Sequence, residues 1–219
     1  MATTQSSDGN VVGVVWRSSP TGGEAVVGVS SSGTSGAVQR PLKVGSYYSS
    51  GNPGMTSGTS ARNAGDLLAV PFYSDTAMPI DRIGLRVTTL QALGVIRIGA
   101  HAMMTSGLPG ALLFTAGTVD ASTTGDKQIT VTQTLPAGWC FLTALFEGAS
   151  GIATQVHNAA SGFGSFALPW NGDFAPNFSA CSGWLKTGVA TGSLPTPFPT
   201  VASASDEVNS VPLMLVRAA

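Results

Sequence analysis

Two histidines, two cysteines and eleven carboxylates carry most of the acid–base, nucleophilic and metal-binding chemistry available to this 219-residue sequence. His101 closes "GVIRIGAH", on the same row as Arg97, and His157 sits in "ATQVHNAAS", which reads as a loop. A histidine base needs an orienting partner and a nucleophile, and the sequence announces neither, so both read as polar surface residues. Cys140 and Cys181 belong to no CxxC pair or ligand cluster, which predicts two buried free thiols and no zinc site. The one adjacent acidic pair, Asp206 and Glu207, lies in a Ser/Ala-rich stretch that reads as loop. Sugar-cleaving carboxylate pairs seldom show as linear motifs, and here the acids are scattered. Asp75, Asp120, Asp126 and Asp173 are loop acids that could join a calcium site, but no calcium-loop spacing is present. Serine-hydrolase elbow, phosphate-loop and zinc-protease motifs are missing too. The expectation is a protein that is not an enzyme, with no catalytic residue, metal or cofactor.

Aromatic residues offer a different chemistry, because an exposed ring can stack on a sugar. Trp170, Phe174, Phe178 and Trp184 cluster in "GFGSFALPWNGDFAPNFSACSGWL" (162–185) and form a candidate receptor-facing loop. The competing and favoured reading packs them down as a small core at one end of the domain, since loops this apolar usually fold inward.

The elements that must position these residues read as strands. In "IDRIGLRVTTL", Ile83, Leu85 and Val87 alternate with Arg82, Gly84 and Arg86. "GVIRIGAHAMM" repeats the alternation, with Arg97, Gly99 and His101 on the outward row, expected to be solvated or to face a partner. Period two places one row inward and one outward. "PAGWCFLTALF" (136–146) is apolar on both rows, so it is covered on both faces, either centrally in the fold or against another subunit. "ALLFTAGTVD", "KQITVTQTL" and "VPLMLVRAA" complete the strands, and no stretch carries a helical repeat. "SGNPGMTSGTSARNAG" (50–65) reads as a loop, and "GSLPTPFPT" as an extended surface segment, because alternating prolines forbid a helix. Short strands separated by Gly/Pro turns predict an all-β fold, a jelly-roll-like β-sandwich over 46–219.

Residues 1–45 read as an N-terminal arm. "VVGVVW" (11–16) and "EAVVGVS" (24–30) flank a Pro/Gly turn and suggest a hairpin, followed by a Gly/Ser connector. Val12, Val14, Trp16, Val26, Val38 and Leu42 are its candidate partner-binding residues. "MATTQSSDGN" has neither a basic nor an apolar leader region, so no secretory signal is expected.

Composition narrows the class. Only 10% of residues are charged and the net charge is -1, against about 25% charged in an ordinary soluble domain. Mean hydropathy is +0.26, yet no apolar run reaches the ~18 residues of a membrane helix. Ten Lys and Arg scattered singly make no basic stripe for nucleic acid. A surface this poor in charge is expected to be covered by neighbouring chains, the alternative being a neutral, Ser/Thr-rich extracellular domain.

The order "YY" (47–48), "LLAVPFY" (67–73), "DRIGLRVTT" (81–89), "GVIRIGAH" (94–101), "GLPGALLFTAGTVD" (107–120) and "ITVTQTLPAGWCFLTALF" (129–146) resembles a β-sandwich module of tailed-bacteriophage virion proteins. Such modules recur in head decoration and tail-fibre proteins, and where the family has an aromatic after "PAG" this chain has Trp139. The resemblance spans Tyr47 to Phe146 and leaves the arm and the C-terminal third outside. It implies a capsid decoration, or cement, protein on the outer surface of the head, assembled in the host cytoplasm. Its partners would be the major capsid protein and its own copies as a homotrimer, with no nucleic acid or membrane. The alternative is a tail-fibre or tail-tip protein that recognises a host glycan or protein through 162–185. The absence of coiled-coil heptads or a fibrous repeat favours the head.

Overall fold

Thirteen strands and no helix make up the described residues, which in this computed structural model are 42–50, 56–158, 182–201, 207–208 and 210–219. They belong to the unit Pro41–Ala219. The expected hairpin, Val12, Val14, Trp16, Val26 and Val38 lie outside the described residues, as do Trp170, Phe174, Phe178, Asp173, Cys181 and Asp206.

Eight consecutive strands form the frame: β2 (Thr56–Arg62), β3 (Leu67–Ser74), β4 (Met78–Thr89), β5 (Val95–Met103), β6 (Pro109–Asp120), β7 (Gly125–Leu135), β8 (Gly138–Glu147) and β9 (Ile152–Asn158). Sheet one carries β2, β9, β4 and β7 as neighbours in that order, and sheet two carries β3, β8, β5 and β6. All pairings are antiparallel. This interleaving, in which the chain passes repeatedly from one sheet to the other, is the jelly-roll arrangement and closes two faces over one core.

The alternation read from the sequence is the packing pattern. Ile83, Leu85 and Val87 of β4 meet Ile96, Ile98 and Ala100 of β5 in the main core, with Leu68, Val70 and Phe72 of β3 and Leu142, Ala144 and Phe146 of β8. Each large apolar side chain so buried is worth roughly 1.5–3 kcal/mol over leaving it in water. Tyr48 and Leu42 also pack against this core from its margin. Leu42, expected to face a partner, is thus a half-buried residue of the sandwich itself.

Three polar stretches depart from expectation. "TSGTSAR", within the expected loop 50–65, is β2, and it runs beside β9 from Thr56 opposite Asn158 to Arg62 opposite Ile152. His157 is likewise in a strand, half-buried in β9. Glu207 and Val208 form a short strand, β11, at the edge of sheet two. Backbone pairing, not side-chain pattern, makes these strands.

Sheet one contains a fork. β4 and β9 pair only where Val87 and Thr89 face Thr154 and Ala153. Beyond that point the C-terminal segment fills both edges: β12 (Ser210–Pro212) pairs with β9, and β13 (Met214–Ala218) pairs with β4. Leu213 joins them, its N–H donating to the Gln155 carbonyl at 2.9 Å. β1 (Tyr47–Ser49) then pairs with β13.

Candidate interaction surfaces

Sheet two has a second apolar layer on its outer face. The outward rows of β3 and β8 contribute Leu67, Ala69, Phe141 and Leu145, and β10 (Gly183–Lys186), which pairs with β3, adds Trp184. Over them runs the strap 187–201, whose Leu194, Phe198 and Val201 are buried in the same cluster. Strand β8 is therefore covered on both faces, and on this side the cover is the chain's own strap. Trp184, assigned to a receptor-facing loop, is a strand residue with 0% exposure. The inward-packing reading describes it, because an indole of that size on the outward row needs a lid.

An extended strap cannot satisfy its own backbone polar groups, so it must find partners on the sheet. It does so every third residue. Val189 N–H donates to the Gly65 carbonyl at 2.9 Å and Phe198 N–H to the Gly110 carbonyl at 2.8 Å. Gly192 N–H donates to Glu147 Oε1 at 2.9 Å. The Pro195 carbonyl lies 2.9 Å from His101 Nε2. A carbonyl only accepts, so Nε2 carries the ring proton, and Nδ1 accepts from the Thr143 hydroxyl at 3.2 Å. Phe198 sets its ring edge-on to the imidazole, 5.3 Å between centroids. Gly99 leaves room for the strap: a Cβ there would lie 2.4 Å from Leu194 Cδ1 and 2.5 Å from the Phe114 carbonyl.

The outward row of β5 is thus neither solvated nor offered to a partner, which corrects the surface reading of His101. His101 is fully buried. Burial holds its imidazole below its ordinary value, against an opposing hydrogen bond to Pro195. Arg97 grips Glu147 with two hydrogen bonds, 2.9 and 3.0 Å, beneath the strap. Burial alone would raise the Glu147 carboxyl, but the bonds from Arg97 and Gly192 and the Arg97 charge prevail and hold it low. Glu147 and His101 fix the strap, through Gly192 and Pro195.

The remaining candidates stay apart. Cys140 faces the main core, and burial pushes its thiol up to about 12, so it is protonated at neutral pH. Asp120 caps the following turn through Ser122 N–H at 2.9 Å, and Asp126 pairs with Arg86 at 3.0 Å. Among the described residues no three His, Cys, Asp or Glu side chains gather where they could hold a metal ion. Among the described residues no helix is long and apolar enough to cross a membrane.

Two open surfaces stand out among the described residues. One is an edge of sheet one: among the described residues β7 pairs with β4 alone, as β2 pairs with β9 alone at another edge. Its stretch Ile129–Thr134, "ITVTQT", contains no charge and no proline. A long neutral edge is a template for another strand, and proteins normally blunt such edges with charges, prolines or bulges. On the facing sheet, edge strand β6 has three register shifts against β5, whereas β7 has one against β4, between Thr130 and Gln133 within this stretch. The β7 edge was not legible in the sequence because an edge is defined by what fails to pair with it. The other open surface is a recess beside the fork in sheet one, lined by Tyr47, Gln128, Gln155, Leu213 and Leu215 and by the Arg86–Asp126 pair.

The chain matches no protein-family model. It matches no curated protein either.

Proposed function

We propose that this chain is a non-enzymatic virion structural protein of a tailed phage, a capsid decoration protein that binds the major capsid protein and its own copies, as a homotrimer, on the head. The observation that carries the reading is the β7 edge, where an uncharged stretch of strand, paired with β4 on one side, has no strand on its other side among the described residues. A soluble protein that keeps such an edge has a use for it, and strand addition by a neighbouring chain is that use. With only 10% of residues charged, the surface suits burial in an assembly better than free life in solution. Jelly rolls serve as viral capsid and lectin domains alike, so the fold is compatible with the reading and does not choose it. The 1–45 arm, with its two β-branched runs, has the composition of an added strand. The tail-tip alternative rested on the loop 162–185, and the burial of Trp184 removes one of its four aromatic residues.

Immunogold electron microscopy of intact virions tests the location. Gold over the head is the expected result; gold confined to the tail end, or no gold on intact particles, overturns it. Sedimentation of the purified chain is expected to give three times the 22.1 kDa chain mass. Thr132→Lys, which puts a charge on the β7 edge, should shift it toward the monomer. A monomeric wild type would remove the self-association part of the proposal.

A further inference from the structure

The recess beside the fork has a volume of about 170 Å³, below the roughly 300 Å³ at which drug-sized sites begin. It has room for one small ring. Its shape follows from the topology. Tyr47 stands on β1 and Gln128 on β7, with β13 and β4 between them, and the two side chains meet across those strands, Tyr47 Oη donating to Gln128 Oε1 at 2.8 Å. Gly84, opposite Gln128 on β4, puts no side chain beneath them. Leu213 and Leu215 supply an aliphatic floor from the C-terminal segment.

The polar groups stand at the rim. With its oxygen engaged by Tyr47, Gln128 still has an amide Nε2 to donate, and Gln155 adds a carboxamide with a donor and an acceptor. Arg86 and Asp126, 54% and 66% exposed, neutralise each other at 3.0 Å and still present hydrogen-bonding atoms to solvent. Lys127, the other charge at the recess, turns its ammonium to the Thr123 hydroxyl. The combination is an apolar floor and an aromatic wall, the Tyr47 ring with the Arg217 guanidinium 6.0 Å from its centroid, ringed by amides, a self-neutralised ion pair and the Lys127 ammonium held by Thr123. It matches a ligand with a C–H face and a rim of hydroxyls and no net charge. We propose that this recess binds a single neutral pyranose ring, as the end residue or a branch of a glycan.

The inference stands apart from the virion reading: it is tested on the isolated chain, and either can fail alone. The experiment is titration of the ¹⁵N-labelled full-length chain with the methyl glycosides of glucose, galactose, mannose and N-acetylglucosamine, followed by NMR. A site this small and open should hold one ring with a Kd of about 1 mM. The expected result is saturable shifts of the Gln128 and Gln155 side-chain amides and of Leu215 with at least one glycoside. Gln155→Ala should weaken binding about tenfold and Tyr47→Ala abolish it, while Trp139→Ala on sheet two leaves it unchanged. Gln155→Ala removes a half-buried outward side chain, so it keeps the test valid should Tyr47→Ala perturb folding. The proposal is overturned by the absence of saturable shifts with all four glycosides, by shifts centred elsewhere, or by affinity indifferent to Gln155→Ala. A response to peptides and to no glycoside overturns it equally.

Discussion

Leu194→Ala tests whether the strap is held to sheet two by packing. Leu194 is 5% exposed and inserts over Gly99. Truncating a buried leucine costs about 2–5 kcal/mol, least where the surroundings can close on the gap. The strap is an unsupported chain on one side and can settle inward, so the cost belongs at about 2–3 kcal/mol. At 1.36 kcal/mol per factor of ten, that multiplies the opening equilibrium about 30- to 150-fold. Native-state hydrogen exchange reads it directly at the Val189, Gly192 and Phe198 amides, which donate to Gly65, Glu147 and Gly110. These should exchange faster by that factor, while amides in the middle of β8 keep their wild-type rates, because the strap can open without the sandwich. Unchanged exchange at the three amides would refute the claim that Leu194 holds the strap. Equal acceleration throughout β8 would refute its independence.

Two further outcomes follow from the buried titratable groups. The imidazoles of His101 and His157 are held below their ordinary 6.5, chiefly by burial, so the unfolded chain binds their protons more tightly. Stability is therefore complete above about pH 6.5 and falls as the pH drops toward the folded-state values. Glu147, held below its ordinary 4.5, adds a second loss only as the pH falls further, through its own folded value. Thermal unfolding from pH 8 to 5 should show a decline that His101→Asn reduces and His101→Asn with His157→Asn flattens; an undiminished slope in the double variant would place the titration elsewhere. Cys140 should resist an aromatic disulfide reagent at pH 8 in native Cys181→Ser protein and react at once in denaturant, since it is buried and its thiol is pushed up to about 12; fast native labelling would contradict the packing.

The strands legible in the sequence were those whose side chains alternate. β4 and β5 could be read residue by residue because each has one row in the core, and β8 could be read as doubly covered because both its rows are apolar. What covers the second row was not readable, since the strap reaches β5 from residues 94 positions away, as His101 and Pro195 do. The same non-local contacts misplace His101: its parity was right, and its exposure depends on a segment that local pattern does not see. β2 and the start of β12 are polar strands defined by partners, so a search for periodicity passes over them. Of the candidate surface, Tyr47 was legible only as half of a Tyr pair. Gln128 and Gln155 carried no signal, because β7 and β9 bring them to one recess only where β4 and β9 part.

The fork also sets a timetable for folding. On the side away from β7, Ile83 is paired with Val216, so β4 emerges from the ribosome well over a hundred residues before the strand that completes its edge. Until then the N–H and C=O groups along β4 and β9 have only their other neighbours, and the half-built sheet is open to strands from other nascent chains. Pairings of such sequence separation are slow to form, on the order of milliseconds to seconds for comparable all-β domains. Arrival of β12 and β13 is then what closes these two edges to strands from a neighbouring chain.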